Sequence, residues 1–233
     1  MKIIEPSVRL EDKIDRQAIL KKIEKIGRVC YKSENNITED SAERFIQNII
    51  KSGHESVLEH VSISVRVICD RGVSHEIVRH RIASYSQEST RYCNYSNDKF
   101  GNELTFIKPC WFKSSIEDLN KYAKNKTYEN SQNILNEEIE WIDIIQEIEN
   151  NYFMFLEDEN WTPEQARSIL PNSLKTEIVM TMNLREWRHF FKLRCSKRAH
   201  IQMRQIANMI LDELKKEIPI IFDDIEGELK NEC

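Results

Sequence analysis

Glycine is scarce in this sequence: five residues in 233, at Gly27, Gly53, Gly72, Gly101 and Gly227, each standing alone. Phosphate loops made of backbone amides need glycines clustered at fixed offsets, so neither a dinucleotide fingerprint nor a Walker loop can be written anywhere along the chain. A nucleotide phosphate held here must be held by side chains. Proline is equally sparse, and no stretch rich in Gly, Pro or Ser reads as a linker, so one domain over residues 1–233 is expected. The six cysteines, Cys30, Cys69, Cys93, Cys110, Cys195 and Cys233, lack CxxC spacing and read as reduced thiols, with neither a disulfide framework nor a metal site. No internal repeat is visible, no apolar run approaches a membrane span, and the opening Met1-Lys2-Ile3-Ile4-Glu5-Pro6 lacks the apolar core of a signal peptide. The expected location is cytoplasmic. Basic residues do not dominate either. With 34 Lys and Arg against 39 Asp and Glu, no global field attracts nucleic acid, and a basic site must be a local cluster.

Such a cluster is present. From Arg79 to Arg91 the chain reads Arg-His-Arg-Ile-Ala-Ser-Tyr-Ser-Gln-Glu-Ser-Thr-Arg, setting three arginines, an imidazole, three serines and a threonine against one carboxylate, Glu88. Guanidinium forks match phosphate oxygens bidentately and hydroxyls satisfy the remaining acceptors. A solvated charged surface would have the same composition.

Periodicity places the flanking elements. Ile19, Leu20, Ile23 and Ile26 predict a helix over residues 16–26 with Gly27 as its C-terminal cap, and Ala42, Phe45, Ile46, Ile49 and Ile50 predict a second helix closed by Gly53. Residues 61–68 alternate, with Ile63, Val65 and Val67 on one face, as in a half-buried strand. Val73, Ile77 and Val78 then resume helical spacing, which would carry Arg81 onto the inward side. Thr105 to Ile107 could form a short strand, and Leu135 to Phe155 carries a long helical stripe within a polar segment, residues 111–160. Thr162, Pro163 and Gln165 have the pattern of a capping box, opening a helix on whose inward stripe Arg167 would lie. After an extended stretch ending at Asn183, Leu184, Trp187, Phe190 and Phe191 predict a helix. Arg194, seven residues past Trp187, returns to the same face within about 20°. A last helix spans residues 200–218, and residues 223–233 read as a frayed acidic tail. Helices dominate and strands are few, which is an α+β pattern.

His54 and His60, each beside a glutamate, are six residues apart. Two ligands on one helix face need a spacing of four, so a metal site is not expected. Inward-facing arginines require an anion, either a bound ligand or one of the protein's own carboxylates.

The spacing RHRxxSxxxxSxR over Arg79, His80, Arg81, Ser84, Ser89 and Arg91 resembles the signature of the flavin-dependent thymidylate synthases. The segments His54-Glu55-Ser56 to His60 and Asn183 to Arg194 resemble that family's other site segments, so the likeness covers most of the chain. It implies a mainly antiparallel sheet flanked by helices, the thymidylate synthase-complementing fold, assembled as a homotetramer with shared active sites. It also implies conversion of dUMP to dTMP, with FAD as cofactor and 5,10-methylenetetrahydrofolate and NADPH as co-substrates. Residue by residue, it implies flavin contacts for Ser56, Arg79, His80, Arg81 and Gln87, and for Asn183, Leu184, Arg185 and His189. The last of these stands where some members carry asparagine. For dUMP it implies Glu76, Ile77, Val78 and Arg79, then Gln87, Glu88, Ser89, Thr90 and Arg91, with Arg167 and Arg194. In that scheme Arg194 lies against the pyrimidine and favours its ionised form. Family members would differ most in residues 111–160.

Two rivals remain at this stage. Pro109-Cys110 has part of the Pro-Cys-His pattern of cysteine-dependent thymidylate synthases, but Trp111 follows and only Lys108 and Lys113 stand near to activate a thiol, so Cys110 is read as structural. Alternatively the arginines with Tyr85, Tyr92 and Tyr95 would form a stacking platform for a nucleotide or RNA, against which the acidic net charge weighs.

Overall fold

A computed structural model describes residues 1–227; residues 228–233 and the side chain of Tyr128 lie outside the description. In chain order the elements are β1 (Lys2–Ile4), β2 (Ser7–Leu10), α1 (Arg16–Arg28), α2 (Ser41–Lys51), a 3₁₀ segment (Glu55–His60), β3 (Ser62–Asp70), α3 (Arg71–Ile77) and β4 (Ser84–Gln87). There follow β5 (Thr105–Ile107), α4 (Ile116–Lys124), α5 (Tyr128–Ser131), α6 (Asn136–Glu157), α7 (Pro163–Ala166), β6 (Lys175–Asn183), α8 (Leu184–Arg194), α9 (Ile201–Glu217) and α10 (Pro219–Phe222).

The antiparallel pair β3–β6 is the centre of the fold, in register from Ser62 opposite Asn183 to Asp70 opposite Lys175. Both strands alternate. Ile63, Val65 and Val67 on β3 and Ile178, Met180 and Met182 on β6 turn to one side, where α8 and α9 pack on the strands. β2 pairs with β3 and β4 with β6, both antiparallel, giving the order β2-β3-β6-β4. A separate parallel pair joins β1 to β5, and smaller apolar clusters around Tyr152 and Ile142 of α6 lie beneath it. The architecture is α+β with a mainly antiparallel sheet, as expected.

Each central strand passes straight into a helix through an Asx cap. Asp70 accepts the Val73 amide at 2.7 Å to open α3, and Asn183 accepts the Glu186 amide at 2.8 Å to open α8. Because β3 and β6 run oppositely, these helices start at opposite ends of the sheet and run back toward each other. Nine residues of strand span about 30 Å, while α3 and α8, of 7 and 11 residues, cover about 10 and 16 Å. Their C-terminal ends therefore converge over the middle of the sheet. Trp187, Phe190 and Phe191 of α8 are fully buried, each worth about 1.5–3 kcal/mol of burial, and they fix the helix rotation that Arg194 inherits.

Several expectations need correction. Gly27 lies inside α1 and does not cap it: a Cβ there would meet the Phe45 ring at 2.7 Å, so its role is to let α1 and α2 approach. Gly53, at φ +70°, does follow α2 in the left-handed region. The helix after β3 ends at Ile77, so Arg81 sits beyond it and is exposed instead of facing inward. Likewise α7 ends at Ala166, and Arg167 is exposed. Within the polar segment a helix not anticipated, α4, packs against β1 and α6. The tail is ordered at its start: Ile225 is buried and both Asp224 carboxylate oxygens accept from Arg188 at 2.6 Å. The rest of the expected acidic tail, residues 228–233, lies outside the described residues.

Candidate active site

Where α3 and α8 meet, three of the sequence-selected residues bond directly. Arg194 is tethered on three sides: Nε–H donates to His80 Nε2 at 3.0 Å, Nη1 to Glu76 Oε2 at 3.0 Å and Nη2 to the Glu76 carbonyl at 3.2 Å. That carbonyl lies in the last turn of α3, and Arg194 itself closes α8, so two negative helix ends favour the cation. The other Glu76 oxygen faces His200 Nδ1 at 3.3 Å. His80 is buried at 6% exposure, packed edge-on against Phe190 and near His189. Burial first, then the charges of Arg194 and His189, pull its pKa down to about 4. The imidazole is therefore neutral at neutral pH, and because Nε2 accepts, its proton is on Nδ1, which faces Glu186 Oε1 at 3.6 Å. Burial raises the pKa of Glu186 in turn.

Two adjoining clefts flank α8. One of about 590 Å³ is walled by Tyr31, Phe45 and Val57 and holds His54, Ser56 and Arg185. The other, of about 520 Å³, holds Ile82, Asn183, Arg185, His189 and Lys192. Arg185 and Glu55 border both. Arg185 is ion-paired with Glu59 at 2.5 Å, so its charge is balanced within the chain. Ser56, Asn183, Arg185 and His189 are thus brought to a common groove. Arg79 and Arg81, on the exposed elbow leading to β4, point outward.

A third cleft of about 460 Å³ lies on the sheet face bordered by Gln87, Glu88, Lys175 and Phe100. Gln87 Nε2 donates to Ser74 Oγ at 2.9 Å and Thr176 Oγ1 at 3.1 Å, and Glu88 accepts from Lys175 at 2.6 Å and Tyr95 at 2.8 Å. Ser89 Oγ accepts the Arg91 amide at 3.3 Å in a turn, Thr90 is buried, and Arg91 pairs with Glu164 at 2.9 Å. Ile77 and Leu184 are fully buried core residues, so neither presents a side chain to a cleft, while Val78 is exposed. The motif arginines accordingly do not converge within one chain. Arg194 is gathered in; Arg79, Arg81, Arg91 and Arg167 stay at the surface.

The tyrosine platform does not form. Tyr95 is buried with its hydroxyl on Glu88, the Tyr85 hydroxyl donates to the carbonyls of His80 and Ile77, and only Tyr92 is exposed. Sequence reasoning missed Glu186, Lys175 and Arg188. Arg188, 1% exposed, is a hub joining Glu55 of the 3₁₀ segment, Asp224 and the Ile221 carbonyl. The Asn183-x-x-Glu186 spacing is a capping pattern that could have marked Glu186 as ordered; no local signal distinguishes Arg188 from its charged neighbours.

The family described as thymidylate synthase complementing protein matches residues 14–220 of this chain. A flavin-dependent thymidylate synthase of Pyrococcus furiosus is 35% identical over 205 residues, spanning 88% of this chain and 73% of its own. One from Geobacter sulfurreducens is 33% identical over 205 residues, spanning 85% of this chain and 78% of its own. Among solved structures, that of Thymidylate Synthase X from Helicobacter pylori with FAD and dUMP superposes with a TM-score of 0.71 at 22% identity, covering 94% of this chain and 98% of that one. The structural likeness is one of fold.

Proposed function

This chain belongs to the thymidylate synthase complementing protein family, and from that premise we infer that it is a flavin-dependent thymidylate synthase. Its reaction is the reductive methylation of dUMP to dTMP, with FAD as cofactor, 5,10-methylenetetrahydrofolate as carbon donor and NADPH as reductant. The observation that carries the site assignment is Arg194 at the meeting of α3 and α8, oriented by His80 and Glu76. A guanidinium has five N–H donors. The three bonds described leave one N–H on each Nη for a ligand.

The residues fit a flavin dinucleotide. The groove along α8 combines apolar walls, Phe45, Tyr31 and Ile82, with the polar groups Ser56 and His189; Arg185 and Lys192, paired with Glu59 and Glu55 in the free chain, would exchange those carboxylates for a diphosphate. Asn183 spends Oδ1 on capping α8, leaving its amide NH₂ for the ligand. When bound, FAD supplies the hydride and NADPH restores it. The protein supplies position and charge: a permanently protonated Arg194 stabilises negative charge developing on the uracil. Gln87, Ser89 and Arg91 would hold the nucleotide, with Glu88 set by Lys175 and Tyr95. Cys110 has no part in this scheme.

Arg79, Arg81 and Arg167 are exposed on one chain, the first two beside the exposed apolar residues Val78 and Ile82. In a homotetramer with shared sites they would turn onto a neighbouring chain's groove, which accounts for arginines that look outward from a greasy elbow. The proposed protein is one cytoplasmic domain without nucleic-acid partners; among the described residues no helix is long and apolar enough to cross a membrane. The test is direct. Purified protein should take up FAD with visible flavin absorbance and form dTMP from dUMP when given methylenetetrahydrofolate and NADPH. Protein that neither binds FAD nor makes dTMP would overturn the assignment.

A further inference from the structure

We infer that Arg188 is a positioning residue for the flavin cofactor, and that the stretch from Ile221 to Asp224 behind it sets flavin affinity through it. The inference rests on the reading of the groove along α8 as the flavin site. Three cations of α8, spaced three and four residues apart, strap the 3₁₀ segment to the helix: Arg185 on Glu59 at 2.5 Å, Arg188 on Glu55 at 3.0 Å and Lys192 on Glu55 at 3.6 Å. They are not equivalent. Arg185 and Lys192 are exposed and border the clefts, so water screens their pairs and an arriving diphosphate competes for them. Arg188 is buried and borders neither of the clefts flanking α8, so its bond to Glu55 stays when a ligand takes the other two cations.

Four of the five N–H groups of Arg188 are engaged. Nε–H donates to Glu55 Oε1 at 3.0 Å, Nη1 serves both the Ile221 carbonyl and Asp224 Oδ1, the latter at 2.6 Å, and Nη2 meets Asp224 Oδ2 at 2.6 Å. The bidentate fork with Asp224 sets the guanidinium plane, and that plane aims Nε at Glu55. The hydrogen bonds from Arg188 hold the Asp224 carboxyl below its usual pKa, so both sides of the fork are charged at neutral pH. Backbone bonds fix the far ends of the segment: His54 N–H donates to the Ile49 carbonyl at 3.0 Å, and the Val61 carbonyl accepts the Leu184 amide at 2.9 Å. Ser56, exposed between them, is located by its neighbours. On one side Leu58 and, in part, Val57 pack into the core; on the other stands Glu55, which Arg188 holds. Asp224 borders neither cleft, so a change there reaches the flavin only along the chain Asp224, Arg188, Glu55, Ser56.

The experiment titrates FAD into three purified proteins, each well below its unfolding temperature: the unsubstituted chain, Asp224→Ala and Leu119→Ala. Leu119 is buried in a separate apolar cluster beside α4, so its truncation destabilises the fold without touching the clamp. Asp224→Ala is expected to raise the Kd for FAD roughly 3–30-fold, the range for a residue coupled to a site it does not touch, and saturating FAD should restore kcat. Leu119→Ala should leave that Kd unchanged. In flavin-free protein, amide hydrogen exchange over residues 54–57 should quicken in Asp224→Ala but not in Leu119→Ala, a measurement that needs no activity. An unchanged Kd in Asp224→Ala, an equal weakening in both variants, or a loss of kcat that FAD does not restore would each overturn the inference. Unsubstituted protein that takes up no FAD defeats the flavin reading itself, and the exchange rates then decide whether the clamp holds the segment. Should Asp224→Ala fail to fold, Asp224→Asn, which keeps the shape and one acceptor, takes its place under the same criteria.

Discussion

Replacing Arg194 by alanine separates the chemical use of this side chain from its structural one. Arg194 is 21% exposed and Glu76 32%, so their ion pair is partly screened and contributes about 0.5–1 kcal/mol. The larger structural loss is at His80, whose buried Nε2 would have no donor. An orphaned acceptor costs about 1–3 kcal/mol, at the low end where the shortened side chain lets water enter. The sum is roughly 2 kcal/mol, or about 4–8 °C in Tm for a chain of this length. Activity should fall much further. Removal of one preorganised donor from a developing anion costs on the order of 10²–10³ in rate. The grooved side of α8 is untouched, so flavin content should not change. Thermal unfolding, flavin absorbance and dTMP formation measured on one preparation give the answer. Near-normal turnover would refute the role of Arg194, and a collapse of flavin binding would mean that α8 itself had moved.

Three further outcomes follow from the same geometry. Asp224→Ala leaves the buried Arg188 with Glu55 at 3.0 Å and the Ile221 carbonyl, so about 2–3 kcal/mol should be lost, less than the 3–5 typical of a fully buried broken pair, read as a lower denaturation midpoint. No change would mean that residues 223–227 do not anchor the Ser56 segment through Arg188. His80 binds its proton at about pH 4 in the fold but at the ordinary imidazole value of about 6.5 when unfolded. The unfolded chain therefore takes up more protons between these limits, and this group's contribution to stability is complete above about pH 6.5 and lost as pH falls toward 4, by at most about 1.4 kcal/mol per pH unit. A denaturation series over that window should be flatter in His80→Gln, and an unaltered slope would place His80 outside the linkage. Cys110→Ala should keep dTMP synthesis largely intact, whereas a dead enzyme would revive a thiol mechanism.

How much was legible depended on how local the signal was. The alternation of β3, the stripe of α8 and the capping box at Thr162 are properties of neighbouring residues, and all three were readable. Arg81 and Arg167 were misread for one shared reason. Their inward direction assumes a continuing α-helix, whereas α3 stops at Ile77 and α7 passes at Arg167 into a 3₁₀ turn, Arg167–Ile169, whose tighter winding breaks the α-helical phase. Glu186 and Arg188 were passed over because a buried charge and a solvated one look alike in sequence; only its partners distinguish it.

Sequence by itself excluded a glycine-rich phosphate loop and determined that Arg194 would share a face with Trp187, since both follow from composition and helical pitch. Only the tertiary structure decided which groups Arg194 would meet. Glu76 and His80 lie 118 and 114 residues away, and they arrive because two antiparallel strands send their helices back over the sheet until the ends touch. That convergence depends on strand register and helix length together, quantities that no stretch of residues carries alone.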